Sequence, residues 1–156
     1  MTDFRLSAPV RLFAPAKVNL GLEILERRPD GYHEVITLME TISLFDILDI
    51  EPWKELSIVS DKRIPARDDL TLKALEALQG YLERPLPIRV TVQKRIPMAA
   101  GLGGGSSDAG TLIGAIGSMT GLSNDEMWRI AGELGSDVPF FITGGAALAA
   151  GTGTSI

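Results

Sequence analysis

The sequence predicts an α+β domain, and three observations carry the prediction. Strand-like runs crowd between residues 10 and 60, whereas capped helical patterns come later. Hairpin-type turn signals, not helical crossovers, separate the early runs. One later run, "IRVTVQK", alternates cleanly: Ile88, Val90 and Val92 face one way, Arg89, Thr91 and Gln93 the other. That is the pattern of a half-buried strand.

Taken in order, "VRLFAPAKVNLGLEIL" reads as two β-rich runs split by Pro15. "RRPDGYHE" is a turn signalled by Pro29-Asp30-Gly31. "VITLMETISLFDILDIE" returns as strand in two pieces, and "LSIVS" is a short strand. Asp69 is placed to cap a helix over about Leu70 to Leu82, because its carboxylate can accept from free first-turn N–H groups. Leu72, Leu75, Leu78 and Leu82 share one face of it. Pro97 ends the strand at 88–94, and a glycine run follows.

The next helix starts near Ser106 or Ser107 and runs to about Thr120, with Gly121 as its stop. Gly110, Gly114 and Gly117 share one of its faces. Each costs roughly 1 kcal/mol against alanine in a helix interior, so the spacing predicts close approach of another backbone. Ser123 and Glu126 have capping-box spacing and open a third helix. Met127, Ile130, Ala131 and Leu134 form its apolar face, and Gly135 is its stop. "SDVPFFITGGAALAAGTGTSI" reads as turn, strand, glycine turn, strand.

Composition narrows the function. The 156 residues suit one domain, with 45% hydrophobic and 22% charged residues, as in ordinary soluble globular proteins. A net charge of −5 argues against nucleic acid as the partner. The absence of cysteine removes disulfides, thiolate nucleophiles and Cys-based zinc sites. "HEVIT" has Thr37 where a zinc protease needs its second histidine. The opening "MTDFRLSAPVRLFAPAK" shows no signal-peptide pattern and no apolar run approaches a membrane span, so a cytoplasmic location with no membrane partner is expected. Trp53 and Trp128 are assigned to packing.

The stretch with chemistry in it is "RIPMAAGLGGGSSDAG", residues 95–110. It is not a P-loop, since Ser106 stands where that motif needs glycine and no lysine follows. Nor is it a dinucleotide fingerprint, because Ser106 fails the third glycine. A backbone anion cradle remains. Glycines let successive N–H groups point inward, and the following helix adds unpaired N–H groups and a positive dipole end. Ser106 and Ser107 add hydroxyls, and Asp108 puts a carboxylate in the first turn, which would repel a bare phosphate but could help hold a hydrated cation. The alternative is a plain tight strand-to-helix connection. Taken alone, Lys17 reads as a solvated charge on a strand, Asp137 as a turn or cap residue, and Tyr32 and His33 as hairpin decoration.

"PMAAGLGGGSSDAG" resembles the second signature of the GHMP small-molecule kinases, P-x-x-x-G-L-G-S-S-A-A, with an extra glycine that resembles one branch of the family. "APAKVNLGLEILERRPDGYHEVITLM", residues 14–39, is similar to that branch's first signature. "LGSDVPFFITGGAALAAGTG", residues 134–153, resembles its G-A-D-V-P-F-F segment, with Ser136 where alanine is usual. The resemblance implies the family's N-terminal domain, a mixed or antiparallel sheet with helices on one face, in a fold shared with a domain of a ribosomal protein. It implies a kinase that uses ATP and magnesium. The small-molecule substrate implied is 4-diphosphocytidyl-2-C-methyl-D-erythritol, phosphorylated on its 2-hydroxyl, a step of non-mevalonate isoprenoid biosynthesis.

Residue by residue, the resemblance implies that Gly101, Leu102, Gly103, Gly104, Gly105, Ser106 and Ser107 wrap the ATP phosphates, with Pro97 leading in. Lys94, Asp69 and Leu70 match the adenine side, where Asp68-Asp69-Leu70 replaces the frequent Asp-Asn-Leu. Lys17 and Asp137 match the catalytic pair: Asp137 would accept the substrate hydroxyl's proton, as a weak base that chiefly orients it, and Lys17 would keep Asp137 ionised and stabilise charge on the transferring oxygens. Asn19, Tyr32 and His33, with Asp137, match substrate-contacting positions. The family's members run to nearly twice this length. Residues 1–156 are therefore expected to be the N-terminal, ATP-binding portion, without the C-terminal GHMP domain and with little activity alone. A homoserine- or mevalonate-type kinase of the same family and a non-catalytic nucleotide-binding fragment are the rival expectations; "RRPDGYHE" favours the cytidine-binding branch.

Overall fold

A long antiparallel ribbon is the spine of the sheet. The computed structural model describes residues 6–27 and 33–150. In it β1 (Val10–Arg27) pairs along its length with β2 (His33–Pro52). Each is one continuous strand, not the two pieces expected. The break foreseen at Pro15 is a register shift: Pro15 pairs with Phe45 and Ala16 with Ile42, so Ser43 and Leu44 are passed over. Proline cannot donate to the ladder, and such a bulge bends the ribbon without ending it.

Next come β3 (Ser57–Ser60), α1 (Leu70–Leu82) and β4 (Ile88–Gln93). The second half comprises α2 (Gly104–Thr120), α3 (Asn124–Leu134), the single-turn α4 (Phe140–Thr143) and β5 (Ala146–Ala149). The five-stranded sheet has the order β1-β2-β4-β3, and β5 pairs with β2 beyond β4. Among the described strands only β3–β4 is parallel, so the sheet is mixed.

The helices cover one face of the sheet. Leu48, Ile50, Ile88, Val90 and Val92 of the sheet form one buried cluster with Leu75 and Leu78 of α1 and Leu112, Ile113 and Ile116 of α2. Each such aliphatic side chain contributes roughly 1.5–3 kcal/mol on burial. The expected α1 face is buried at Leu75 and Leu78, with Leu82 packed beside it, but Leu72 turns toward a side cavity and Thr71 and Ala74 complete the face. Trp53 is not interior: it stays partly exposed, with the Arg89 guanidinium stacked 3.3 Å from its ring centre.

The cap expectations hold at both sequence-signalled helices. The Asp69 side chain accepts from Thr71 and Leu72 N–H, and Ser123 and Glu126 form a reciprocal capping box. Gly121 ends α2 in the left-handed region, at φ 81. Gly135 ends α3 in extended backbone, so no left-handed stop operates there.

The expected strand at "FFIT" is instead α4. Pro139 has a helical φ that suits a helix start, and Phe140 and Phe141 are both buried. A strand would send those neighbours to opposite faces. Gly144, at φ 65, turns the chain back, and β5 follows as expected.

Candidate functional site

The sequence forms the centre of the site through glycine packing. A Cβ on Gly110 would lie 2.5 Å from the Val138 carbonyl oxygen and 2.7 Å from Phe141 Cβ. At Gly114 the nearest atom would be the Ile142 carbonyl oxygen, at 3.3 Å. The smooth face of α2 therefore lets the 138–142 backbone settle on it, as the spacing predicted. Gly117 differs, facing the Met127 side chain. Asp137 is carried in by the docked segment.

Lys17 meets it from β1. Its Nζ lies 3.3 Å from Asp137 Oδ2 and donates to Asn19 Oδ1 at 3.0 Å. The lysine side chain is 7% exposed and that of Asp137 34%. Lys17 is thus no solvated strand charge: the ammonium is buried against the carboxylate, which stays open to the surface. Backbone ties hold the glycine loop to the same strand. Lys17 N–H donates to the Leu102 carbonyl at 3.0 Å, and Ser107 Oγ donates to the Pro15 carbonyl at 2.6 Å.

The loop has the backbone that its glycines permit. Gly101 and Gly103 have φ of 75 and 71, left-handed values that favour glycine. A Cβ on Gly103 would also meet Phe141 at 2.9 Å and Lys17 Cγ at 3.1 Å. Gly103 caps α2 without a side-chain bond, so the cap residue itself leaves the first amides open. α2 starts at Gly104, slightly before the expected serines. Beside the loop lies a cleft of about 530 Å³, lined by Ile64, Pro65, Asp68, Leu70, Lys94 and residues 96–106. That is within the range of small-ligand sites.

The expected binding residues do not all reach that cleft. Pro97, Leu70 and Gly101 through Ser106 line it. Ser107 is buried, its hydroxyl committed to Pro15. Asp69 lines the neighbouring cavity and spends its carboxylate on the start of α1, while Asp68 faces the cleft. Lys94 borders the cleft, but its ammonium is held by Asp46 and, at 2.6 Å, by Asp108. Asn19 is exposed on β1 beside Lys17. Tyr32 lies outside the described residues, and of His33 only its place at the start of β2 is described.

Sequence reasoning missed Asp46. It is wholly buried, and its Oδ1 accepts from Ile96 N–H at 2.8 Å and from Arg95 N–H. Its signal was phase, since Asp46 alternates in step with the buried Leu48 and Ile50. Asp108 is buried as well. Burial pushes its carboxyl up to about 7 against the opposing pull of Lys94. Burial alone would lower the Lys94 ammonium, but the two carboxylates raise it.

A left-handed glycine loop and an open helix start border the cleft, and the Lys17–Asp137 pair is tied to that loop through the Lys17 backbone. The family description "GHMP kinases N terminal domain" matches residues 69–145. A crystal structure of 4-(cytidine 5'-diphospho)-2C-methyl-D-erythritol kinase superposes with a TM-score of 0.82 at 40% identity, covering 94% of this chain and 53% of that one. Over this stretch the chain has the fold of a GHMP kinase N-terminal domain. Two curated relatives narrow the likeness, and each is named 4-diphosphocytidyl-2-C-methyl-D-erythritol kinase. The one from Caldanaerobacter subterraneus subsp. tengcongensis is 41% identical over 151 residues, 94% of this chain and 53% of the relative. The one from Shewanella sp. (strain MR-7) is 45% identical over 146 residues, 90% and 51%. The chain spans about half the length of the curated relatives it matches.

Proposed function

We propose that this chain supplies the nucleotide-binding half of a kinase that transfers the terminal phosphoryl group of ATP to the 2-hydroxyl of 4-diphosphocytidyl-2-C-methyl-D-erythritol. The observation that carries the reading is the Lys17–Asp137 contact of 3.3 Å, tied to the glycine loop through the Lys17 backbone. Phosphoryl transfer asks chiefly for positioning and charge stabilisation. The loop amides from Gly101 to Ser106 hold the polyphosphate, and Ile64, Pro65 and Leu70 offer an apolar wall for the base. The half-exposed Asp137 accepts a hydrogen bond from the substrate hydroxyl and takes its proton as the bond to phosphorus forms. Lys17, fixed by Asn19 and Asp137, presents a positive charge where the transferring oxygens gain negative charge.

Magnesium, when bound, neutralises phosphate charge. Among the described residues no group of three or more His, Asp or Glu gathers as a ligand set. That suits an ion held chiefly by phosphates and water, the arrangement magnesium favours. Among the described residues no helix is long and apolar enough to cross a membrane, and a cytoplasmic enzyme acting on a small molecule fits that. Asn19, Tyr32 and His33 belong to the proposed cytidine side. In the relatives as much chain again lies outside the matched region, and we assign to it the opposite wall of the cleft. The matched half alone is expected to bind nucleotide but turn over slowly.

The test is transfer of radiolabelled phosphate from ATP to the diphosphocytidyl substrate, with homoserine and mevalonate as competing acceptors. Labelling of the first alone supports the reading, and Asp137→Asn should slow it by roughly 10²–10⁴-fold. Preferred labelling of either competitor refutes it. Nucleotide binding with no transfer, even when the chain is joined to the remaining half of a relative, leaves a non-catalytic binding module instead.

A further inference from the structure

The Lys94 cluster sits directly under the glycine loop. A Cβ on Gly104 would lie 3.4 Å from Lys94 Nζ and 3.0 Å from Ile96. Lys94 Nζ is shared between Asp46 on β2 and Asp108 in the first turns of α2. Asp46 also accepts from the Arg95 and Ile96 amides, where the chain leaves β4 for the loop. All three side chains are at least nine-tenths buried, with exposures of 4%, 0% and 1%. Asp108 Oδ1 is buried and has no hydrogen-bond partner.

One ammonium between two buried carboxylates leaves a net negative charge when both are ionised, and an unbalanced buried charge is costly. Resting on the polyphosphate reading of the loop, we propose that Asp108 is a positioning residue whose protonation is coupled to ligand binding: a polyphosphate seated on the loop draws a proton onto the Asp46–Lys94–Asp108 cluster. The charged groups acting on Asp108 are Lys94, which follows β4, and Asp46. Lys94 borders the cleft, but its ammonium is turned to the two carboxylates, and Asp46 is wholly buried. A polyanion above the cluster disfavours the second negative charge below it, so the cluster closes to one ammonium facing one carboxylate. Asp46 keeps its grip on the Arg95 and Ile96 amides throughout, which holds the loop floor in place. Burial pushes the Asp108 carboxyl up to about 7, so a ligand that raises it further draws in protons at and just above that pH.

Calorimetric titration with ATP, and separately with inorganic tripolyphosphate, in buffers of different ionisation enthalpy gives the protons taken up per ligand bound. At pH near 7 the protein is expected to take up more than D108N does, by up to about half a proton. The variant reports the ligand's own contribution. A merely structural role for Asp108 would change affinity without changing this number. Equal uptake by both proteins overturns the proposal. Should D108N not fold, D46N serves: with a single carboxylate left beside Lys94, Asp108 stays ionised and uptake again falls, while unchanged uptake overturns the proposal. Coupled uptake with tripolyphosphate but no binding of ATP supports the proton link and refutes the nucleotide reading. Binding of neither ligand overturns both.

Discussion

Gly110 and Val138 approach so closely that a methyl group on the first would stand 2.5 Å from the carbonyl oxygen of the second. The contact lets the segment bearing Asp137 lie on α2, within reach of Lys17. The glycine spacing of a helix thereby fixes the position of a carboxylate on a different element.

Gly110→Ala should therefore push the 137–141 backbone off α2. Forcing a carbon into a packed contact costs typically about 1–3 kcal/mol, against a gain of up to about 1 kcal/mol in helix propensity. Transfer activity is expected to fall more than nucleotide affinity, since the loop is tied to β1 separately. Gly117→Ala, opposed by the flexible Met127 side chain, should be the milder change. Denaturant melts and steady-state kinetics of the two variants check the ranking.

Asp69 was legible as a cap, and the structure uses its carboxylate as one. Asn caps about as well as Asp, so Asp69→Asn should keep stability within a few tenths of a kcal/mol. Asp69→Ala should lose about 1 kcal/mol, a fall of roughly 2–4 °C in Tm for a chain of this size. ATP affinity is expected to change little in either, because Asp68 and not Asp69 lines the cleft. Thermal melts and ATP titrations of both variants provide the check.

Two acidic groups should pull stability in opposite directions with pH. Hydrogen bonds from the Ser123 hydroxyl and N–H, then from Tyr81, hold Glu126 down to about 2. Its folded value lies below its unfolded one, so its contribution is present above the ordinary glutamate range and is lost as pH falls toward 2. Asp108 is raised to about 7. Its contribution is present below the ordinary aspartate range and is lost as pH rises through 7. Melts from pH 3 to 8 should show Ser123→Ala losing about 1 kcal/mol at neutral pH and less in acid. D108N should lack the decline between pH 4 and 7 that the parent protein shows relative to it.

Much of this was legible because local chemistry agreed with the global packing. The caps at Asp69 and Ser123, the alternation at 88–93 and the smooth face of α2 each rest on short-range rules that tertiary structure did not override. The failures have a common cause. "FFIT" holds two adjacent buried phenylalanines, and an apolar pair carries no period that separates strand from helix. The glycine loop left cradle and plain turn equally open, because its meaning depends on Lys17 and Asp137, which only the fold brings beside it. Lys94 carried an expected adenine role, but no sequence rule linked it to Asp46 and Asp108. Pairing across β2, β4 and α2 cannot be read from spacing, and the phase of Asp46 within β2 was the one clue.

The most direct measurement is a crystal structure of the protein with a non-hydrolysable ATP analogue. The account predicts the polyphosphate along the amides of Gly101 to Ser106, its terminal phosphate beside Lys17 Nζ, with Asp137 open to an acceptor hydroxyl. An analogue bound elsewhere at saturation, with the loop empty and Lys17 turned away from Asp137, would contradict it.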